Sequence, residues 1–567
     1  KRERSRIAGT VERRGGSHWL LPDDPHLPEL MPIIPGEHGE AVSGQAVVAE
    51  PLTESGLTRV RVVEVLGQPG EPEVEEAKLA HLFGLRQHFS AEALAEAAAL
   101  QDGAGKGEAL GGEERLDLRG CPLVTIDPPD ARDFDDALAI AELADGGFSL
   151  TVAIADVAHY VAPGSVIDQE AKERGCSVYF PGRVIPMLPA ALSGDLCSLK
   201  PGAERLAVAV QLRFAADGTQ HAARIEPALV RSRARLTYDG VAALLAGQPL
   251  PRDPANEHAE QLRQLERLAR LLLRHRVAGG ALDLDIPEAR AVWDAQVQQV
   301  VDIERCRRTW AHRLVEEMML AANRAVGARL QQLGRPAPWR IHEPPDPADL
   351  AEVAALAEAL LPVSGRPAAV PGEISGMLRW VRQHLGSGPG AEVLAQRLLR
   401  AMKQARYSAV DVGHFALAAR GYLHFTSPIR RYPDLIVHRL LRGEAPEPAS
   451  LAQLAEHCSR RERAAMAAEQ AALQLHGTLL LQEMVGEPLP GTITGIGRGG
   501  LFVQLERPFV QGMVLAGNLP DDRYDVAPLG HLAVGRRTGQ TFRLGDRLQV
   551  IVDAVSPLRR HVDLRLA

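Results

Sequence analysis

From Val124 to Ile140 the chain reads VTIDPPDARDFDDALAI, with five aspartates (Asp127, Asp130, Asp133, Asp135 and Asp136) inside ten residues. The flanking runs LVTI and ALAI are apolar and β-prone, as strands buried on both faces are. A fold that buries both runs must place the intervening carboxylates at one sheet edge. There they are solvated, capped or neutralised by a cation. Several carboxylates within about 5 Å of each other cannot all stay ionised without compensation. Oxygen donors with no nearby His or Cys point to Mg2+, with Mn2+ as the alternative, rather than zinc. Mg2+ keeps waters and binds substrate phosphate, which suits phosphoryl chemistry. An EF-hand is excluded, because its Gly and distal Glu are missing. An acidic surface loop with an N-cap aspartate is the competing interpretation.

The rest of the chain narrows the class. At 567 residues it is too long for one core, so two to four domains are expected. No apolar run reaches about 18 residues. The start, KRERSRIAG, has neither an apolar signal segment nor a Met, so a chain truncated at that end is expected. The five cysteines are scattered and lack CxxC spacing. This argues against zinc sites and disulfides and fits a reducing cytoplasm. The net charge of −8 does not advertise a nucleic-acid partner, but a basic channel can sit inside an acidic shell. Arginine carries most of the positive charge and clusters at Arg231, Arg233 and Arg235, at Arg305, Arg307 and Arg308, at Arg430 and Arg431, and at Arg460, Arg461 and Arg463. Its planar fork suits phosphate; solvated helix faces are the plainer explanation for any one cluster.

Along the chain, residues 1–72 alternate like short strands broken by Gly and Pro turns, the pattern of a small β barrel. Residues 73–112 read as helix and then linker: Ser90 is a predicted N-cap, and GAGKGEALGG over 103–112 is Gly-rich. From 113 to 482, strand signals (LVTI, ALAIAEL, FSLTVAIADV, RLAVAVQLRF) give way to helical ones, one α+β block. From 483 to 567, Gly-punctuated short strands return, the size and pattern of a five-stranded OB barrel, a common binder of single strands. Within the large block, Arg430 and Arg431 lie between Pro428 and Pro433. An arginine pair held in this way can neutralise charge developing on a phosphate; a surface pair with Asp434 is the alternative. His159, Tyr160, Tyr179 and Phe180 flank Pro-Gly turns and are read as core aromatics or as base-stacking platforms.

Six motifs occur in order: TIDPPDARDFDDALAI, IADVAHYV, SVYFPGRVIPMLP, LSGDLCSL, LVEEMMLAANRAV and HFTSPIRRYPDLIVHRLL. Together they resemble the catalytic RNB block of the RNase II/RNase R family, continuously over about 113–480. GRGGLFVQL, GMVLAGNLPDD and FRLGDRLQVIV resemble that family's C-terminal S-one-type OB domain, and GTVERRG and VRVVEVLG its cold-shock-like OB domain. The resemblance implies a multidomain fold, an α+β RNB catalytic domain flanked by small OB-fold barrels. It implies Mg2+-dependent hydrolysis of single-stranded RNA from the 3′ end, processive, releasing nucleoside 5′-monophosphates, by a cytoplasmic monomer with no membrane role.

By motif position it assigns catalysis to Asp127, Asp133, Asp135, Asp136 and Arg430. Asp127, Asp133 and Asp136 would hold metal, and Asp135 would position or activate the attacking water; Asp130 falls at a variable position. For RNA binding it points to Tyr179 on the 3′-terminal nucleotide, with Arg431 second to Arg430 at the scissile phosphate. Glu469 would lie near the 3′ end, and Trp339 would be a stacking aromatic. Gly499-Gly500 stand where the family often has an aromatic, so RNA contact in the last barrel is expected to lean on Phe502, Phe509 or Tyr524. There is room for about one N-terminal barrel where the family commonly has two, and no Lys-rich tail follows Ala567, which leaves the RNase II and RNase R subtypes open. A non-catalytic RNA-binding regulator on the same scaffold is the alternative from a different class. A calcium-binding structural protein is a third, but it leaves the Arg430 motif without a use.

Overall fold

The computed structural model of the chain describes residues 6–24, 26–54, 57–105, 114–283, 287–306, 308–360, 370, 372–384, 388–444, 448–520, 522–557 and 559–567. The first unit is an antiparallel sheet of β1 (Ile7–Arg14), β2 (Ser17–Pro22), β3 (Met31–Pro32), β4 (Ala46–Glu54) and β5 (Leu57–Gly67), in the order β3-β2-β1-β4-β5. A bridge from Ile33 to Val60 brings its two edges together. Alternation along β1 sends Ile7 and Val11 inward to meet Leu20, Met31 and Val60, the period-two pattern of a small barrel. Two helices follow, Pro72–Leu82 and Ala91–Gly105. Ser90 caps the second, its Oγ accepting from the Ala93 N–H at 3.1 Å, as its residue type predicts. The Gly-rich segment expected to begin at 103 is still helical to Gly105, because Ala and Gln continue the turn; positions 106–112 lie outside the described residues.

The sheet of the large α+β block has seven strands: β6 (Leu116–Leu118), β7 (Val124–Asp127), β8 (Asp136–Glu142), β9 (Phe148–Ala155), β12 (Glu204–Phe214), β13 (Gln220–Arg231) and β14 (Ala234–Thr237). Between β9 and β12 in sequence lies a separate hairpin, β10 (Val178–Phe180) and β11 (Arg183–Ile185). The sheet order is β14-β7-β8-β9-β12-β13-β6; β14 runs parallel to β7 and β6 to β13, and the other pairs are antiparallel. β9 is buried along nearly its whole length, as a strand covered on both faces must be. Helices Ala259–Ala278 and Trp310–Gln332 supply Leu262, Leu265, Leu314 and Met318 to the same core. A second hairpin, β15 (Glu288–Asp294) and β16 (Gln299–Cys306), and a short pair, β17 (Trp339–Ile341) and β18 (Arg406–Ser408), complete the block. The 35-residue helix Pro448–Gln482 runs from it to the last unit.

That unit is a closed barrel of β19 (Pro488–Gly497), β20 (Gly500–Leu505), β21 (Gln511–Leu515), β25 (Arg547–Ser556) and β26 (His561–Leu566). Outside it stands a three-stranded sheet, β22 (Tyr524–Val526), β23 (Leu532–Gly535) and β24 (Thr541–Arg543). Gly500 has φ +138°, and a Cβ there would sit 2.0 Å from the Val514 carbonyl oxygen. The close approach of β20 and β21 therefore leaves no room for a side chain at Gly500.

Candidate active site

The aspartate loop is built by the two strands it joins. Val124 on β7 pairs with Leu138 on β8, so Asp127 at the end of one strand meets Asp135 and Asp136 at the start of the other. The loop is fixed on both sides. Arg235, on the neighbouring β14, donates to the Pro128 carbonyl at 2.9 Å and also to that of Pro129, its guanidinium over the Phe134 ring. Phe134 is buried, its N–H donating to Ser198 Oγ at 3.0 Å, while that hydroxyl donates to the Arg132 carbonyl at 2.8 Å. The Ala155 N–H closes the far end on the Asp135 carbonyl at 2.9 Å. Asp130 is left exposed on the turn.

Arg430 reaches this loop from the other end of the block. The turn at Ser427-Pro428 presents the Ile429 N–H to Asp135 Oδ1 at 2.8 Å, and Arg430 Nε lies 3.3 Å from Asp135 Oδ2. Asp135 is 3% exposed. Burial drives its pKa well above the usual carboxylate range, opposed by Arg430 and the Ile429 N–H. Burial also lifts Asp127 to about 7, helped by the negative charge of Asp136, and Asp136 itself to about 6, against the pull of Arg430 and Arg431. For Arg430, burial opposes the charge, but Asp135, Tyr179, Asp136 and Asp133 outweigh it and the net shift is upward. Arg431 is engaged differently. It pairs at 2.7 Å with Asp434, which is fully buried and also accepts from the Ser427 N–H at 2.8 Å. Arg431 thus secures the start of helix Tyr432–Leu441, and the pair with Asp434 is buried rather than on the surface.

Tyr179 stands on β10 with its hydroxyl donating to Asp133 Oδ2 at 3.1 Å and its N–H to Glu469 Oε1 at 2.8 Å. The structure thus brings together Asp127, Asp133, Asp135, Asp136, Arg430, Tyr179 and Glu469. Trp339 is a correction. It is 6% exposed on β17, paired with β18 in the main core, so its ring is spent on packing and has no face for a base. Phe180 and Tyr160 are core residues as well, while Phe502 is 42% exposed on the barrel strand β20. Tyr524 lies on β22, off the barrel, its ring tilted against Phe542. Phe509 is occupied in docking, its N–H on the Ile303 carbonyl at 2.7 Å. Two further neighbours of the site are Tyr238, which carries no sequence signal of its own, and Arg235, which stood out only as one of a basic cluster. Arg235 and Tyr238 reach it because β14 pairs in parallel with β7, Thr237 opposite Asp127, and such pairing is not local. Burial raises the Tyr238 pKa, and the charges of Asp136 and Asp127 add to it.

Among the described residues no group of three or more His, Cys, Asp or Glu side chains stands as a ready metal cage. Asp133 is engaged by the Tyr179 hydroxyl. The residues nonetheless fit a hard divalent cation. The donors are all oxygen, Asp127 Oδ2 is buried without a hydrogen-bond partner, and Mg2+ needs only one or two carboxylates beside waters and phosphate.

Burial of Asp127 and Asp136, with Asp136 adding to the shift of Asp127, sets a pH dependence. With folded pKa values of about 7 and about 6 for Asp127 and Asp136, the metal-free folded chain holds more protons between pH 4 and 7 than the unfolded chain does. Its stability therefore falls as pH rises through that window and levels off above it. Asp127→Asn is expected to raise the melting temperature of EDTA-treated protein by about 2–4 °C at pH 8, and by less at pH 5. Calorimetry at the two pH values measures this; an equal gain at both would rule out the buried charge of Asp127 as its source.

Three family models match the chain: an RNB domain over residues 115–444, a cold shock domain over 19–90 and an S1 RNA binding domain over 482–566. Ribonuclease R of Aquifex aeolicus is 36% identical over 100% of this chain and 81% of its own length. Ribonuclease R of Escherichia coli is 35% identical over 99% of this chain and 71% of its own. Mycoplasma genitalium RNase R, solved in complex with ribose methylated single-stranded RNA, superposes with a TM-score of 0.86 at 26% identity, covering 100% of this chain and 90% of that one. Yeast Ssd1, described as a pseudonuclease, shares the fold with a TM-score of 0.74 at 15% identity, over 100% of this chain and 83% of that one. Fold alone therefore does not decide activity; the site does. The RNB match spans more than half of this chain and the full-length relatives exceed 30% identity, so the chain belongs to the RNase II/RNase R family of exoribonucleases.

Proposed function

We propose that this chain is a Mg2+-dependent exoribonuclease that hydrolyses single-stranded RNA from the 3′ end, processively, to nucleoside 5′-monophosphates. One observation carries the reading: Asp127, Asp133, Asp135 and Asp136 converge at one sheet edge with Arg430, which approaches from a segment 294 residues away at its Ile429 contact. Asp127, Asp136 and Asp133 would hold the metal, with Mn2+ as its substitute. When bound, the metal supplies neutralising charge and an acidified water.

The chain's own residues supply the rest. Arg430 offers a preorganised guanidinium to the scissile phosphate, where negative charge grows. Asp135 holds that guanidinium in place and is the carboxylate for positioning or activating the water. Tyr179 gives a half-exposed ring for the terminal nucleotide, with Glu469 fixing its backbone. Arg431 braces Arg430 through the Ser427 turn. In the last barrel, Phe502 is the exposed stacking ring, and Tyr524 the outlying one. The division at about 72, 112 and 482 makes the outer barrels the funnel and the RNB block the engine. Among the described residues no helix is long and apolar enough to cross a membrane; a monomer acting on RNA in the cytoplasm is the working arrangement.

The test uses single-stranded RNA labelled at either end. With Mg2+, 3′-labelled RNA is expected to release labelled mononucleotide from the first time point, while 5′-labelled RNA shortens to a short limit product. A chase with excess unlabelled RNA should leave engaged chains running to completion. EDTA should stop both reactions, and Mn2+ should restart them. Internal fragments as first products would overturn the exonuclease reading, and RNA binding without any hydrolysis in Mg2+ would favour the regulator.

A further inference from the structure

The β10–β11 hairpin that carries Tyr179 is short: two three-residue strands around the turn Pro181-Gly182. An isolated two-stranded hairpin is marginal in water, so its placement comes from what touches it. Its inner face is packed. Val178, Phe180 and Ile185 are buried against Ala465, Ala468, Ala472 and Leu475 of the long helix. Its base is tied to the arginine segment, the Ser177 N–H donating to the Arg430 carbonyl at 3.0 Å. Its tip is held by a residue that neither the motifs nor the mechanism uses.

That residue is Trp293. Gly182 has φ +72°, and a Cβ built on it would lie 2.5 Å from Trp293 Cδ2 and Cε2. The indole therefore lies directly on the Gly182 backbone, an approach only glycine permits. Trp293 follows a register shift between Val292 and Trp293 in the β15–β16 hairpin, the type of irregularity that re-aims a side chain. Its hairpin is itself fixed to the C-terminal barrel. Ile303 is 1% exposed, the Phe509 N–H donates to its carbonyl at 2.7 Å, and Arg507 Nε meets Asp302 Oδ2 at 2.7 Å. The turn cannot swing outward without displacing a ring anchored to another unit. A cavity of about 780 Å3 lies beside the contact, bordered by Pro181, Arg183, Trp293 and Val300. The indole braces the turn on that side, and Arg183 after it donates to Gln87 Oε1 at 3.0 Å.

We propose that Trp293 is a positioning residue for Tyr179, bracing the tip of its hairpin so that the phenol stays at Asp133 and the terminal nucleotide. This rests on the reading of Tyr179 given above. Small misplacements in a reacting complex cost turnover steeply, while the proposed function gives the grip on RNA mainly to the outer barrels. The effect should therefore fall on kcat rather than KM.

Mononucleotide release is measured for the parent, Trp293→Ala, Trp293→Phe, Tyr179→Ala and the Tyr179→Ala/Trp293→Ala double variant. Trp293→Ala is expected to lower kcat about 10-fold with KM changed less than about 3-fold, and Trp293→Phe to recover most of the loss. In the Tyr179→Ala background the Trp293 change should add nothing, because its route to the chemistry is gone. An unchanged kcat, or an equal loss in both backgrounds, would overturn the proposal. An unchanged kcat in Tyr179→Ala alone would instead overturn the reading of Tyr179. If Trp293→Ala does not fold, Trp293→Leu carries the same comparison, keeping an apolar side chain without the flat ring.

Discussion

Asp135→Asn is expected to lower mononucleotide release at saturating Mg2+ and RNA by about 10³-fold or more, with RNA affinity within about 3-fold of the parent. The substitution keeps the size of the side chain and can keep the acceptor for the Ile429 N–H. It removes the negative charge that faces Arg430 Nε at 3.3 Å and the group able to take a proton from water. Asp135 is almost fully buried, so no solvent charge replaces it. Single-turnover release and filter binding in EDTA separate chemistry from affinity. Release undiminished by the variant would remove Asp135 from the mechanism. A loss matched by an equal loss of binding would make it a binding residue.

Arg430→Ala is expected to cost about 10²–10³-fold in turnover, the range seen when one preorganised charge donor is lost from a reacting site. Arg430→Lys should regain less than about 10-fold of it, because an ammonium cannot reproduce the planar fork. The neighbouring arginine is the control. Arg431 is bound to the buried Asp434, so Arg431→Ala leaves a buried carboxylate without its partner and should lower the melting temperature by several degrees. Its turnover loss, measured well below the melting point, should be the smaller of the two. Reversed ranks, with Arg431→Ala the more inactive and the more stable, would exchange the roles assigned to the pair.

The parts of this site that could be read in advance are the local ones. Five aspartates between two apolar β runs announce a charged sheet edge, and that edge is where β7 and β8 meet. Ser90 announces a helix start, and its hydroxyl caps one. Tyr179 lies in a motif and Glu469 outside all of them, yet the N–H of one bonds the carboxylate of the other. Trp339 failed for a reason of the same kind. An aromatic beside Pro and Arg looks like a loop platform, but a two-strand pairing with Arg406–Ser408 buries it. Tyr524 was expected on the barrel and lies on the sheet beside it, since the barrel closes without β22.

What the sequence by itself determined is therefore the inventory: which carboxylates are close in the chain, which runs are buried, and which family pattern they follow. Only the tertiary structure decided how that inventory is assigned. It gave Arg430 to Asp135 and Arg431 to Asp434, although the two arginines are adjacent and chemically identical. It brought Arg235 under the prolines of the aspartate loop and Trp293 onto Gly182. The physical reason is that strand pairing and burial act between segments far apart in the chain. A side chain's neighbours, and with them its charge state and its use, follow from that packing rather than from its position in a motif.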